Sequence, residues 1–130
     1  MSIWDIKIRY RKIIRDPVAI TEDNEIICVG EIQKGTFIDI MHGSNESLVE
    51  AAREAFNISK SEFGDRPRNF TLFIDCISRV LFLEDNFYKE LEAVYEPDIP
   101  LLGALTIGEI ANNGKDFIEF YNKTSVVGSF

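Results

Sequence analysis

The sequence predicts an α+β domain: a mixed, largely antiparallel sheet with two main helices, in the order β-β-β-α-β-α-β-β. Three observations carry this expectation. Residues 1–43 alternate apolar and polar positions between polar turns, a helical spacing of apolar residues begins at Ser44, and β-branched and aromatic runs return at Phe70–Asp75 and after Pro100.

Ile3 to Tyr10 alternates apolar and charged residues, and Ile26 to Val29 is a short apolar run; both predict strands, as does Thr36 to Met41. The turns Thr21-Glu22-Asp23-Asn24 and Gln33-Lys34-Gly35 separate them, so an antiparallel meander is expected. Pro17, which lacks an amide proton, marks an edge or a strand start. Lys7, Arg9, Arg11, Lys12 and Arg15 interleave with Ile8, Tyr10 and Ile13, the pattern of a strand's solvated face.

Leu48, Ala51, Ala52, Ala55 and Phe56 share one helical face, with Ser44 or Asn45 as N-cap and Glu46 in the first turn. Ser59 to Asn69, with Gly64 and Pro67, is expected to be an exposed loop. Phe70 to Asp75 suits a central strand. A second helical region covers much of Ser78 to Tyr95, with Asp85 available to cap a turn within it, as one helix or two; Pro97 and Pro100 end it. Leu101 to Ile110 and Phe117 to Val127 are then two strands of a closing hairpin, turned at Asn112, Asn113 and Gly114. There is no repeat, low-complexity tract or linker, so a single domain over residues 1–130 is expected.

Fourteen Lys plus Arg against twenty-two Asp plus Glu give a formal charge of −8, which repels phosphate backbones and anionic lipids. Neither nucleic acid nor a membrane is an expected partner. Two cysteines, Cys28 and Cys76, are too few for a disulfide framework, and no secretory leader opens the chain, so a reducing, cytoplasmic setting is expected. A lone histidine, His42, with those two distant cysteines has no metal-ligand spacing, and no glycine-rich phosphate fingerprint is present. No cofactor is expected.

Candidate binding residues fall in three stretches. Asp75-Cys76-Ile77-Ser78-Arg79 spans a strand-to-helix junction, where ligands often sit beyond strand carboxyl ends; Arg79 can grip a carboxylate bidentately or lie on a helix face. In Gly103 to Ile110, Thr106 and Glu109 interrupt an apolar strand, and a glutamate there needs an arginine, an ammonium group or water opposite it. Phe120-Tyr121-Asn122-Lys123-Thr124 places Asn122 and Thr124 on one face, toward a ligand or toward nearby backbone. Cys76 could serve as a nucleophile with His42, the only histidine, as base, but a buried structural cysteine is the simpler expectation.

The order of Cys76-Ile77-Ser78-Arg79, Pro100 with Gly103 to Ile110, and Phe120 to Thr124 resembles the C-terminal domain of the FIST family, the F-box and intracellular signal transduction proteins. The resemblance runs from about Val18 to the end of the chain. It implies a non-enzymatic sensory module that binds a small ligand such as an amino acid, working with signalling domains or an N-terminal FIST domain. It also implies Arg79, Thr106, Glu109 and Asn122 as motif positions, with Cys76 beside them. On that reading Glu109 meets a ligand ammonium and Arg79 its carboxylate. Ser78 stands where the family commonly has glycine, Ala104, Leu105 and Ile107 where it has aromatics, and Tyr121 where it has histidine. The chain has no room for the N-terminal domain, so either a stand-alone domain or one half of a longer protein is expected. The alternatives are a ligand-free protein-interaction module, using sheet edges or aromatics such as Trp4 and Phe130, and a structural half of a two-domain protein.

Overall fold

The computed structural model describes residues 4–8, 13–112 and 117–130. Within them the α+β class holds, and the mixed sheets are largely antiparallel. The strands are β1 (Trp4–Ile8), β2 (Ile13–Arg15), β3 (Pro17–Ile20), β4 (Ile26–Cys28) and β5 (Ile38–His42), followed by helix α1 (Asn45–Phe63) and strand β6 (Thr71–Cys76). Helices α2 (Ile77–Leu83) and α3 (Phe87–Val94) come next, then β7 (Leu101–Thr106), β8 (Glu109–Ala111), β9 (Glu119–Tyr121) and β10 (Ser125–Ser129).

The N-terminal strands are antiparallel but do not form a sequential meander. β1 lies between β2 and β5, while β3 and β4 make their own hairpin. Pro17 does open a strand. Asp16 separates it from β2, so β2 pairs with β1 while β3 pairs with β4. Arg15 is a correction: it is buried, not on a solvated face, because its guanidinium donates to the carbonyls of Ile14, Glu31 and Phe120. Arg9, Tyr10, Arg11 and Lys12 lie outside the described residues.

Helix α1 starts where the sequence places it. Ser44 Oγ accepts from the Ser47 amide at 3.2 Å, and Ser47 Oγ accepts from the Ser44 amide at 2.9 Å, closing a capping box. The helix then runs through Ser59–Phe63, a stretch expected to be loop, until Gly64 takes a positive φ of 74° and returns its amide to Lys60 O. There Ser61 and Glu62 face solvent while Ser59 meets Ser129 Oγ at 2.9 Å, so the polar residues continue the helix rather than form a loop. The second helical region is two helices, with a single 3₁₀ turn at Glu84–Asn86 between them that contains Asp85. Asp85 therefore does not cap α3, whose N-cap position is Asn86.

β6 is central, as its unbroken apolar run predicts: β10 pairs with it antiparallel and β7 parallel. The C-terminal segments depart from two long strands. The chain turns at Ile107–Gly108, where Gly108 has φ 87°, and again at Asn122–Thr124, where Lys123 has φ 52°. Only the pieces beyond the first turn and before the second, β8 and β9, form the hairpin; β7 and β10 instead flank β6. Asn113 and Gly114 of the expected hairpin turn lie outside the described residues. The core gathers Ala52 and Phe56 of α1, Phe73 of β6 and Val94 of α3, with Leu101 and Val127 packed against it. Each such large side chain contributes about 1.5–3 kcal/mol by leaving water. Among the described residues no helix is long and apolar enough to cross a membrane.

Candidate functional site

The carboxyl ends of the parallel pair β6 and β7 and the turn entering β10 meet at one place, and buried polar side chains collect there. β6 ends in Asp75-Cys76 and passes without a loop into α2, which carries Arg79 one turn on. Register sets Thr106 of β7 beside Cys76, and Ser125 of β10 beside Asp75. The Ile107–Gly108 turn then brings Glu109 back across the strand end. β9 delivers Asn122, since Glu109 pairs with Tyr121.

All five residues singled out in the sequence are in this region. Cys76 and Glu109 are 2% exposed, Arg79 3% and Asn122 1%, and Thr106 is half-buried. They divide into two groups. In the first, Thr106 donates its hydroxyl to Glu109 Oε1 at 2.8 Å. Glu109 Oε2 and Asn122 Oδ1 have no hydrogen-bond partner, although both are buried. Burial pushes the Glu109 carboxyl above the usual carboxylate range and nearby Asp16 adds to it, while Thr106, the Thr124 amide and the Cys76 thiol pull the other way. The Cys76 thiol lies 3.1 Å from Ser78 Oγ and 3.9 Å from Asp16 Oδ2.

In the second group Arg79 is engaged internally. Its Nε meets Glu90 Oε1 at 2.9 Å and Asp75 Oδ1 at 3.2 Å. Nη1 donates to Lys123 O at 3.2 Å, and Nη2 donates to Leu48 O at 2.7 Å and to Glu90. Ser125 Oγ donates to Asp75 Oδ1 at 2.7 Å. One guanidinium thus joins β6, α1, α3 and the turn after Asn122. Asp75 is pushed up to about 7, chiefly by burial and then by Glu90, against the pull of Ser125 and Arg79.

Asp16 and Glu90 belong to this polar cluster and were not singled out in the sequence. Asp16 is 6% exposed and pairs with Lys123 Nζ at 3.3 Å. Glu90 is fully buried beside Ala93 and Val94, one turn along the inward face of α3. A glutamate three and four residues before small and apolar inward positions was the available signal. The glycines also find their reasons here. A Cβ on Gly103 would run into the Phe73 carbonyl across the parallel pair, and one on Gly108 would run into the Phe120 ring and stand 3.1 Å from Asn122 Nδ2.

A family model described as FIST C domain matches residues 4–112. The chain belongs to the FIST C family. The match of the FIST C domain begins earlier than the resemblance at Val18 and contains Cys76, Arg79, Thr106 and Glu109; it stops before Asn122 and the β9–β10 turn. FIST C domains are associated with signal transduction, as sensory domains. Neither the curated proteins nor the solved structures gave a match to this FIST C domain.

Proposed function

We propose that this FIST C domain is the small-ligand-binding sensory part of a cytoplasmic signalling protein, and that it holds its ligand without transforming it. The supporting observation is the pair of unpartnered acceptors, Glu109 Oε2 and Asn122 Oδ1, buried at the carboxyl end of β7 and at the β9–β10 turn. Leaving such atoms dry and unpaired costs about 1–3 kcal/mol each, and a ligand that donates to both recovers that loss. The ligand class that fits is amino acids and related small amines, with the ammonium group as the anchor at Glu109. Around Cys76 stand a hydroxyl and carboxylates, which supports a binding role over a nucleophilic one. Two free cysteines fit a reducing compartment.

The test is a thermal-shift panel of amino acids and simple amines on the domain and on Glu109→Gln. A saturable rise in Tm that disappears in the variant is expected. Flat curves with every compound would leave the second reading, in which this domain is an interaction module or the structural half of a protein that also carries an N-terminal FIST domain. The observation favouring that reading is apolar exposure along β7 to β9: Ile107 is 74% exposed, Ile110 73% and Ile118 69%.

A further inference from the structure

The cations bordering the candidate site are already committed. Arg79 is held by Glu90, Asp75 and the carbonyls of Leu48 and Lys123. Lys123 is paired with Asp16, and Arg15 is spread over three carbonyls. None of the three is available for a ligand carboxylate without breaking a buried ion pair or stripping buried carbonyls, either of which costs several kcal/mol. The acceptors are in the opposite condition. Asp16, Asp75, Glu90 and Glu109 are all at least nine-tenths buried, and the neutral Asn122 adds an amide oxygen without a partner. What the two candidate residues leave unmet are acceptors, so the site calls for donors, and an incoming carboxylate would bring only further acceptors with none of the three cations free to meet them.

We propose that the site is selective for a small primary amine, and that a carboxylate on the ligand's α-carbon weakens binding rather than strengthening it. This inference rests on the sensory reading above and narrows its ligand class. An alkylammonium carries three donors. Glu109 Oε2 and Asn122 Oδ1 are buried acceptors left open to them. The Phe120 ring fills the space over Gly108, beside the Asn122 amide, so the ammonium must arrive on a slim stem.

Matched pairs that differ by one carboxylate decide the matter: ethylamine against alanine, and cadaverine against lysine, titrated by calorimetry into the unmodified domain at constant ionic strength, with potassium chloride as the blank. The expected result is that each amine binds at least tenfold more tightly than its amino acid, and that Glu109→Gln lowers amine affinity at least tenfold while its unliganded Tm reports that it is folded. If the amino acid of each pair binds as tightly as the amine or more so, the amine selectivity is wrong although the small-ligand reading stands. If no member of either pair binds, both fall. The comparison within each pair needs no variant, so a poorly folding Glu109→Gln does not remove the test.

Discussion

Arg79 and Glu90 face each other in the protein interior, one on α2 and the other on α3, with the guanidinium 3% exposed and the carboxyl fully buried. Because Arg79 also reaches Leu48 O and Lys123 O, the pair fixes the angle at which the two short helices meet the sheet. Glu90→Ala leaves a buried guanidinium short of its counter-charge. A loss of about 3–5 kcal/mol is expected in urea denaturation. Arg79→Lys should recover little of what Arg79→Ala loses, since an ammonium cannot span four acceptors in a fork.

The neighbouring Asp75 gives the domain a pH dependence of unusual sign. Its carboxyl titrates near 7 in the folded protein, against an ordinary value of 3.8. The native state therefore keeps a proton that the unfolded chain has released, and stability is greatest below about pH 4 as far as this group is concerned, falling as pH rises toward about 7. The slope approaches about 1.4 kcal/mol per pH unit between those values. Chemical denaturation from pH 4 to 8 checks it. Asp75→Asn should flatten the dependence in that window.

Thr106→Val removes the donor to Glu109 Oε1 while keeping the side chain's shape. A loss of about 1–3 kcal/mol is expected, because the carboxyl stays buried. The hydroxyl also pulls the Glu109 pKa down, so the variant's carboxyl should titrate higher still, a change visible in carboxyl carbon NMR. Binding of an ammonium group needs the ionised form. Affinity should therefore rise with pH through the Glu109 titration, and in Thr106→Val that rise should move to higher pH.

Gly103→Ala and Gly108→Ala should each destabilise by about 1–3 kcal/mol, for different reasons. At Gly103 the added methyl meets the Phe73 carbonyl, a rigid backbone atom across the β6–β7 pair. At Gly108 it meets a ring that can swing, but φ 87° disfavours any side chain. Thermal midpoints measure both losses. The second variant should also lose ligand affinity, because its turn carries Glu109.

Much of this was legible in local patterns. The Ser44 cap, the α1 face through Leu48, Ala52 and Phe56, and the central β6 follow from periodicity and capping chemistry that act within a few residues. The breaks at Gly108 and Lys123 were not legible, because an apolar strand that bends reads like one that continues until its partners are known. Glu109 stood out as a polar residue in an apolar run, and Asn122 through the alternation that sets it on one face with Thr124. Arg79 stood out too, but its partners Asp75 and Glu90 lie at i−4 and on another helix, and the second of these is a long-range pairing that spacing does not reveal. Asp16 sat unnoticed before Pro17, since a single acidic residue at a strand break ordinarily means a solvated turn.

The position of β6 between two later strands has a bearing on how the chain folds. Both neighbours, β7 and β10, follow it in sequence, β10 pairing Ser125 with Asp75 and Ser129 with Thr71. During synthesis the β10 edge of β6 must stay open until Ser125–Ser129 emerges, after β7 can already have paired, and non-local pairing of this kind closes slowly. Nascent chains stalled before Ser125 should thus remain chaperone substrates, and β10 acts as the latch of the β10–β6–β7 sheet.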